Sequence, residues 1–344
     1  MKKLLLMVSM LVFFECAWAQ QVYKVSMVKD FIKAIGSNRT IELKTGSCNL
    51  AQAYQVTNPN VSWEKKDNGY ELIIQNEKNL TIKGNNAVIT ADSPCCKVVR
   101  IKKSDTIVLE GLTLSHGVTD ACMAGVPFLD NVQNATINNC VFMGSGSVGL
   151  TVQNSKNIFM EGGSVINRTY GFIQVMNSSY CNFYTVEFFD NFTMGTAIYV
   201  GNVVGLTFDS CSFYDNSGSD FIDVTGDDIS FIVCDFTGNE FDCFLTSDTI
   251  PLFSECYGEE NTFDEELSNV SVYNDYNPFA YYELSSAGLS FYYPVWHAEE
   301  KYNDGILHLF DESCGIDLYA LEIYTQPGYR STRRIARYYS ISKY

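Results

Sequence analysis

The chain is predicted to fold as an all-β solenoid, a parallel β-helix of short stacked turns, and three observations carry that expectation. A segment recurs at a spacing of about 23 residues, as Ala135-Thr-Ile-Asn-Asn-Cys-Val-Phe, Leu206-Thr-Phe-Asp-Ser-Cys-Ser-Phe and Ile229-Ser-Phe-Ile-Val-Cys-Asp-Phe. Within each copy apolar residues alternate with period two, the mark of a strand with one buried face. A repeat this short cannot bury its own apolar side, so the copies must stack on one another.

Alignment of the copies gives a register. Three places before the repeat cysteine stand Leu109, Ile137, Met160, Phe183, Phe208, Phe231 and Phe253. The cysteine position itself runs Leu112, Cys140, Gly163, Val186, Cys211, Cys234 and Cys256. Two residues later Leu114, Phe142, Val165, Phe188, Phe213 and Phe236 complete an inward set. A second strand precedes each copy, as in Leu150-Thr-Val-Gln, Ile173-Gln-Val-Met and Ile198-Tyr-Val-Gly, and each ends at an asparagine: Asn154, Asn177 and Asn202, with Asn131 in the same place. Asparagine tolerates the left-handed backbone region and bonds neighbouring main chain, so these residues are expected to make the bends and to hydrogen-bond up and down the stack. A propeller blade needs roughly 40 or more residues, and a leucine-rich repeat needs a leucine-asparagine signature that is absent.

The ends differ from the middle. Lys2 and Lys3, the apolar run Leu4 to Phe14 and Ala17-Trp18-Ala19 form a signal-peptide pattern, so residues 1–19 are expected to be removed on export. Ser26 is placed to cap a helix carrying Val28, Phe31, Ile32 and Ile35 on one face, which would plug the open end of the stack. The coil is expected over 20–265, and 266–344 as a tyrosine-rich β cap or appendage with strands at 289–293 and 316–324. Arg330, Arg333, Arg334 and Arg337 make its end basic.

Charge and cysteines narrow the function. The net charge of −17 becomes −18 without the signal segment, a poor surface for nucleic acid or anionic lipid. No later stretch is long and apolar enough for a membrane helix. Neutral sugars, cations and metal ions remain open as partners. Eleven cysteines follow the signal segment, and those at the repeat position read as small buried hydrophobes. Cys95, Cys96, Cys122, Cys243 and Cys314 lie off that column and are the better disulfide candidates. Eight Asn-x-Ser/Thr triplets follow from a composition rich in asparagine bends and threonine strands.

Over about residues 22–265 the chain resembles the secreted bacterial right-handed parallel β-helix proteins of the pectate-lyase-like superfamily. The resemblance rests on Asn79-Leu-Thr-Ile-Lys-Gly, on Thr106-Ile-Val-Leu-Glu-Gly-Leu-Thr-Leu-Ser-His-Gly, on Gly144-Ser-Gly-Ser-Val-Gly-Leu and on the later Asn-x-x-Phe-x-x-Cys copies. It implies the right-handed fold and leaves lyase, hydrolase and adhesin roles open. Fragments of a polygalacturonase set occur as Asp227-Asp228, Ser115-His116-Gly117 and Arg100-Ile101-Lys102, but their order is reversed and Asn-Thr-Asp is missing. Asp220, Asp223, Asp227 and Asp228 have the oxygen ligands to collect Ca2+, with no lysine or arginine on neighbouring turns to serve as the base of a lyase.

The register also names outward residues. One row is Val141, Ser164, Glu187, Ser212 and Asp235, and the next is Met143, Ile166, Phe189, Tyr214 and Thr237. Glu187 and Asp235, two turns apart, have backbones about 9 to 10 Å apart, near the carboxylate separation of inverting glycosidases. Phe189 and Tyr214 offer flat faces for a sugar ring. His116, in a turn lengthened at 115–124, stands near Asp120 and Cys122 and is a further substrate-binding candidate. The expected function is engagement of polysaccharide along the side of the coil, as binder or degrading enzyme. The competing expectation is a non-enzymatic adhesion or structural module that uses the coil as a rigid scaffold.

Overall fold

The structure, a computed structural model, describes residues 20–263 apart from 67–68, 93–95, 117–124, 144–147, 168–169, 247–250, 255 and 260. It also describes the backbone of six strands between 281 and 343. The signal segment, Cys95, Cys122, Cys314, Asp120, Arg330, Arg333, Arg334 and the 117–124 part of the lengthened turn lie outside the described residues.

Each turn of the coil contributes to three parallel ladders. The first joins 39–43, 78–83, 105–110, 133–138, 156–161, 179–184, 204–209, 227–232 and 252–254. The second joins 47–49, 88–90, 113–115, 141–143, 164–166, 187–189, 212–214, 235–237 and 257–259. The third joins 73–75, 100–102, 128–130, 151–153, 174–176, 199–201 and 223–225, and 220–222 extends it to 243–245. The aligned register holds residue for residue: Leu109 pairs with Ile137, then Met160, Phe183, Phe208, Phe231 and Phe253 in turn.

Each inward column becomes a stack of like side chains. Phe183, Phe208, Phe231 and Phe253 lie ring on ring at 4.9, 4.7 and 4.9 Å, and Phe188, Phe213 and Phe236 at 4.7 and 4.8 Å. These separations match the rise between neighbouring strands, because identical rotamers on successive turns bring the rings into offset stacks. The repeat cysteines are buried free thiols, as the register requires. Cys211, Cys234 and Cys256 each donate to a carbonyl of the preceding turn, those of Phe183, Phe208 and Phe231, at 3.4 Å. Burial pushes the thiols of Cys48 and Cys140 up to about 11 and that of Cys181 up to about 12. Of the residues proposed for disulfides, Cys96 and Cys243 are buried.

The corners carry the positive φ angles. Asn131, Asn154, Asn177 and Asn202 have φ between 48° and 57°, and Asn202 donates to Asn177 at 3.0 Å. A second asparagine column was hidden from the pattern. At the corner between second and third ladders Asp190, Asp215 and Gly238 adopt φ of 52°, 53° and 65°, and the next residue turns inward. Asn191, Asn216, Asn239 and Asn261 stand there, at most 3% exposed. Their amides bond turn to turn at 2.8, 2.9 and 2.8 Å. Each also donates to a main-chain carbonyl, those of Val165, Phe188, Phe213 and Phe236, at 2.7 to 3.0 Å.

At the start of the coil the helix Val28–Ala34 buries Val28, Phe31, Ile32 and Ala34 in the common core, as expected. Its N-cap is Met27 and carries no side-chain cap bond, so the assignment of that role to Ser26 is corrected by one residue. An antiparallel hairpin, Val61–Lys66 with Gly69–Gln75, interrupts the parallel order. The six strands after the coil form their own sheet, antiparallel except where Tyr281–Ser286 pairs with Ile335–Lys343. Leu289–Pro294 and Ile316–Tyr324 are strands of it.

Candidate functional site: the outward face of the second ladder

Period-two alternation buries Phe188, Phe213 and Phe236 and turns their neighbours outward. Glu187 pairs with Ser212 and Ser212 with Asp235, so the two carboxylates lie in one column two turns apart. Both are exposed. Phe189 pairs with Tyr214 in the next column, and both are half-buried.

The aromatic pair differs from its expected form in one respect. The rings stack on each other, with centroids 4.8 Å apart and planes within 4° of parallel. Stacking along the coil covers one face of each ring, so the pair offers a broad rim and the tyrosine hydroxyl instead of two open platforms. Burial, and then the carboxylates of Glu187, Asp190 and Asp215, hold the Tyr214 phenol above its ordinary range. The carboxylate field therefore reaches the ring pair.

Across the neighbouring corner the first ladder presents a matching column, which sequence reasoning passed over. Glu161 pairs with Tyr184 and Tyr184 with Asp209, so two more carboxylates stand two turns apart with a 40% exposed tyrosine between them. These positions follow from the same register that locates Glu187, one bend away.

The remaining candidates are not brought to this face. His116 is 6% exposed, and its Nε2 lies 2.8 Å from the Cys96 carbonyl oxygen. It is buried away from the outward rows of the second ladder. The four aspartates expected to gather Ca2+ are split by a bend: Asp220 and Asp223 lie on the third-ladder part of Ser217–Ile232, and Asp227 and Asp228 on the first-ladder part. Among the described residues no three His, Cys, Asp or Glu side chains converge as a metal site. Burial and then the charges of Asp223 and Asp242 hold the Asp220 carboxyl above its ordinary range.

Arg100 and Lys102 belong to a charged network on the early turns. Arg100 donates to Asp130 at 2.6 Å and lies 3.8 Å from the fully buried Glu71, with its guanidinium 4.9 Å from the Phe128 ring centroid. Lys97 reaches Glu71 at 3.6 Å and Lys102 reaches Asp130 at 3.8 Å. These pairs join three successive turns, so Arg100-Ile101-Lys102 has a structural role.

Residues 97–236 match the family described as the right handed beta helix region. The coil is a right-handed parallel β-helix. This β-helix is similar in structure to the pectin methylesterase of Aspergillus niger, at 13% identity and a TM-score of 0.40, over 72% of this chain and 86% of that one. It is similar to PfbA, a surface adhesin of Streptococcus pneumoniae, at 10% identity and a TM-score of 0.35, over 90% of this chain and 89% of that one. A third similarity is to the tailspike protein of Escherichia coli bacteriophage HK620, crystallised with a pentasaccharide, at 13% identity and a TM-score of 0.24, over 70% of this chain and 58% of that one. No curated protein matches the sequence. No helix among the described residues is long and apolar enough to cross a membrane.

Proposed function

We propose that this β-helix is an exported protein that engages a polysaccharide along the side of its coil, on the outward face of the second ladder. The observation that carries the reading is the Phe189–Tyr214 pair, half-buried in aligned outward rows and flanked by Glu187 and Asp235. Such a surface combines what a sugar chain requires. The ring rims and the Tyr214 edge meet apolar sugar C–H groups, and carboxylates and serine hydroxyls bond sugar hydroxyls. The rows repeat with the rise of the coil, so an extended polymer meets the same chemistry on successive turns.

Binding is favoured over hydrolysis. Two carboxylates about two strand spacings apart fit the distance for inversion. A hydrolase also needs one carboxyl kept protonated by its surroundings, and both Glu187 and Asp235 are exposed. The test is incubation with neutral and acidic polysaccharides, with and without calcium, read by affinity electrophoresis and by reducing-end and unsaturated-product assays. Retardation without product, lost in Phe189→Ala/Tyr214→Ala, is the expected result. Product formation abolished by Glu187→Gln or Asp235→Asn would make the face catalytic. Retention of full binding by the double alanine variant would sink the assignment.

A further inference from the structure

The later turns of the coil carry a one-signed surface. From Thr169 to Trp296 there is no lysine, arginine or histidine, and residues 169–263 hold fifteen aspartates and glutamates. Among the described residues every ion pair lies at or before Asp130, where lysines and Arg100 answer the carboxylates of the early turns. Among the described residues, the outward rows beside Phe189 and Tyr214 hold no lysine, arginine or histidine.

These charges surround the aromatic pair. Glu187 and Asp235 occupy the column on one side of it. Asp190 and Asp215, exposed corner residues held at φ of 52° and 53°, occupy the other side one turn apart. Glu161 and Asp209 continue the field across the adjoining bend. A polyuronate approaching here meets like charge at Glu187, Asp190, Asp215 and Asp235, which raises its energy at each contact. A neutral glycan meets hydrogen-bond acceptors and little attraction at long range. A chain carrying protonated amines meets a carboxylate on every turn and ring edges between them, and its approach is steered by the summed field.

Resting on the polysaccharide reading of this face, we propose that its ligand is an amine-bearing polysaccharide, a hexosamine polymer with free amino groups, held by Glu187, Asp190, Asp215 and Asp235 around Phe189 and Tyr214. Each amine pairs with an exposed carboxylate, so single contacts are weak and selectivity comes from their repetition.

The experiment is titration calorimetry of the full chain with four probes: β-1,4-linked glucosamine oligomers, their N-acetylated counterparts, polygalacturonate and polylysine. The glucosamine oligomer is expected to bind about tenfold or more tighter than the acetylated one, as several weak ion pairs together supply. That preference should shrink as salt is raised. It should vanish in the variant carrying Glu187→Gln, Asp190→Asn, Asp215→Asn and Asp235→Asn, whose circular dichroism stays that of the parent. Equal affinity for the two oligomers, or tighter binding of polygalacturonate, overturns the amine assignment and leaves the glycan face standing. Binding of polylysine with no oligomer bound overturns both and assigns the face to a basic protein.

Discussion

Replacing Asn216 by alanine should be among the most damaging single changes in the coil. Its side chain is 1% exposed and uses its whole hydrogen-bonding capacity. Oδ1 accepts from the Asn191 main-chain N–H at 3.2 Å and from the Asn191 side-chain amide at 2.8 Å. Nδ2 donates to the Phe188 carbonyl at 2.8 Å and to Asn239 Oδ1 at 2.9 Å. Alanine leaves the two Asn191 donors facing a dry gap. At about 1–3 kcal/mol for each buried group stripped of its partner, the loss is about 2–6 kcal/mol. Asn216→Asp keeps the shape but turns an oxygen towards two acceptors, so it should fold well only when protonated. Its stability should fall towards that of the alanine variant at neutral pH and recover in acid. Urea unfolding followed by far-ultraviolet circular dichroism measures this, with an unchanged slope as the sign that native and unfolded states are otherwise alike. Asn202→Ala, at the exposed corner, should cost clearly less, because water replaces its bond to Asn177. A loss below about 1 kcal/mol for Asn216→Ala, or an aspartate variant as stable as the parent at neutral pH, would refute the reasoning.

Three further outcomes are expected. Val233 is a β-branched residue held at φ 53° and 49% exposed, so Val233→Asn should raise stability by about 1 kcal/mol, seen as a higher urea midpoint. Glu77 is fully buried, and although it accepts from Ser37 at 2.7 Å, burial holds its carboxyl above the ordinary range. Its protonated form favours the fold below the ordinary glutamate value of 4.5, and that stability is lost as pH rises through the raised value. Glu77→Gln should therefore be more stable than the parent at neutral pH, an advantage that thermal melts at acid pH should show disappearing. Finally, native-state thiol labelling mapped by mass spectrometry should leave Cys140, Cys181, Cys211, Cys234 and Cys256 unmodified until the chain is unfolded, since all five are buried.

The candidate site was legible in part. The columns holding Glu187, Asp235, Phe189 and Tyr214 follow from alternation, which is a local property of the chain. Mutual stacking of the two rings was not legible, because it depends on rotamers chosen against the turns above and below. His116 looked like a loop side chain available to substrate, and only the fold shows that Cys96, twenty residues earlier, lies against it. The Arg100 network likewise joins Glu71, Arg100 and Asp130 across three turns that carry the repeat only loosely.

Asparagine separates the two kinds of knowledge most clearly. Residue order alone settles that the chain is a stack of short strands, that Phe208 and Cys211 point inward, and that Asn154, Asn177 and Asn202 make bends. It does so because period-two burial and left-handed tolerance are intrinsic to strands and to asparagine. Tertiary structure alone decides that Asn191, Asn216, Asn239 and Asn261 are the interior ladder and that the earlier set lies outside. The preceding left-handed residue resets the alternation and sends the next side chain into the core. An amide becomes tolerable there only when the turns on either side supply its partners.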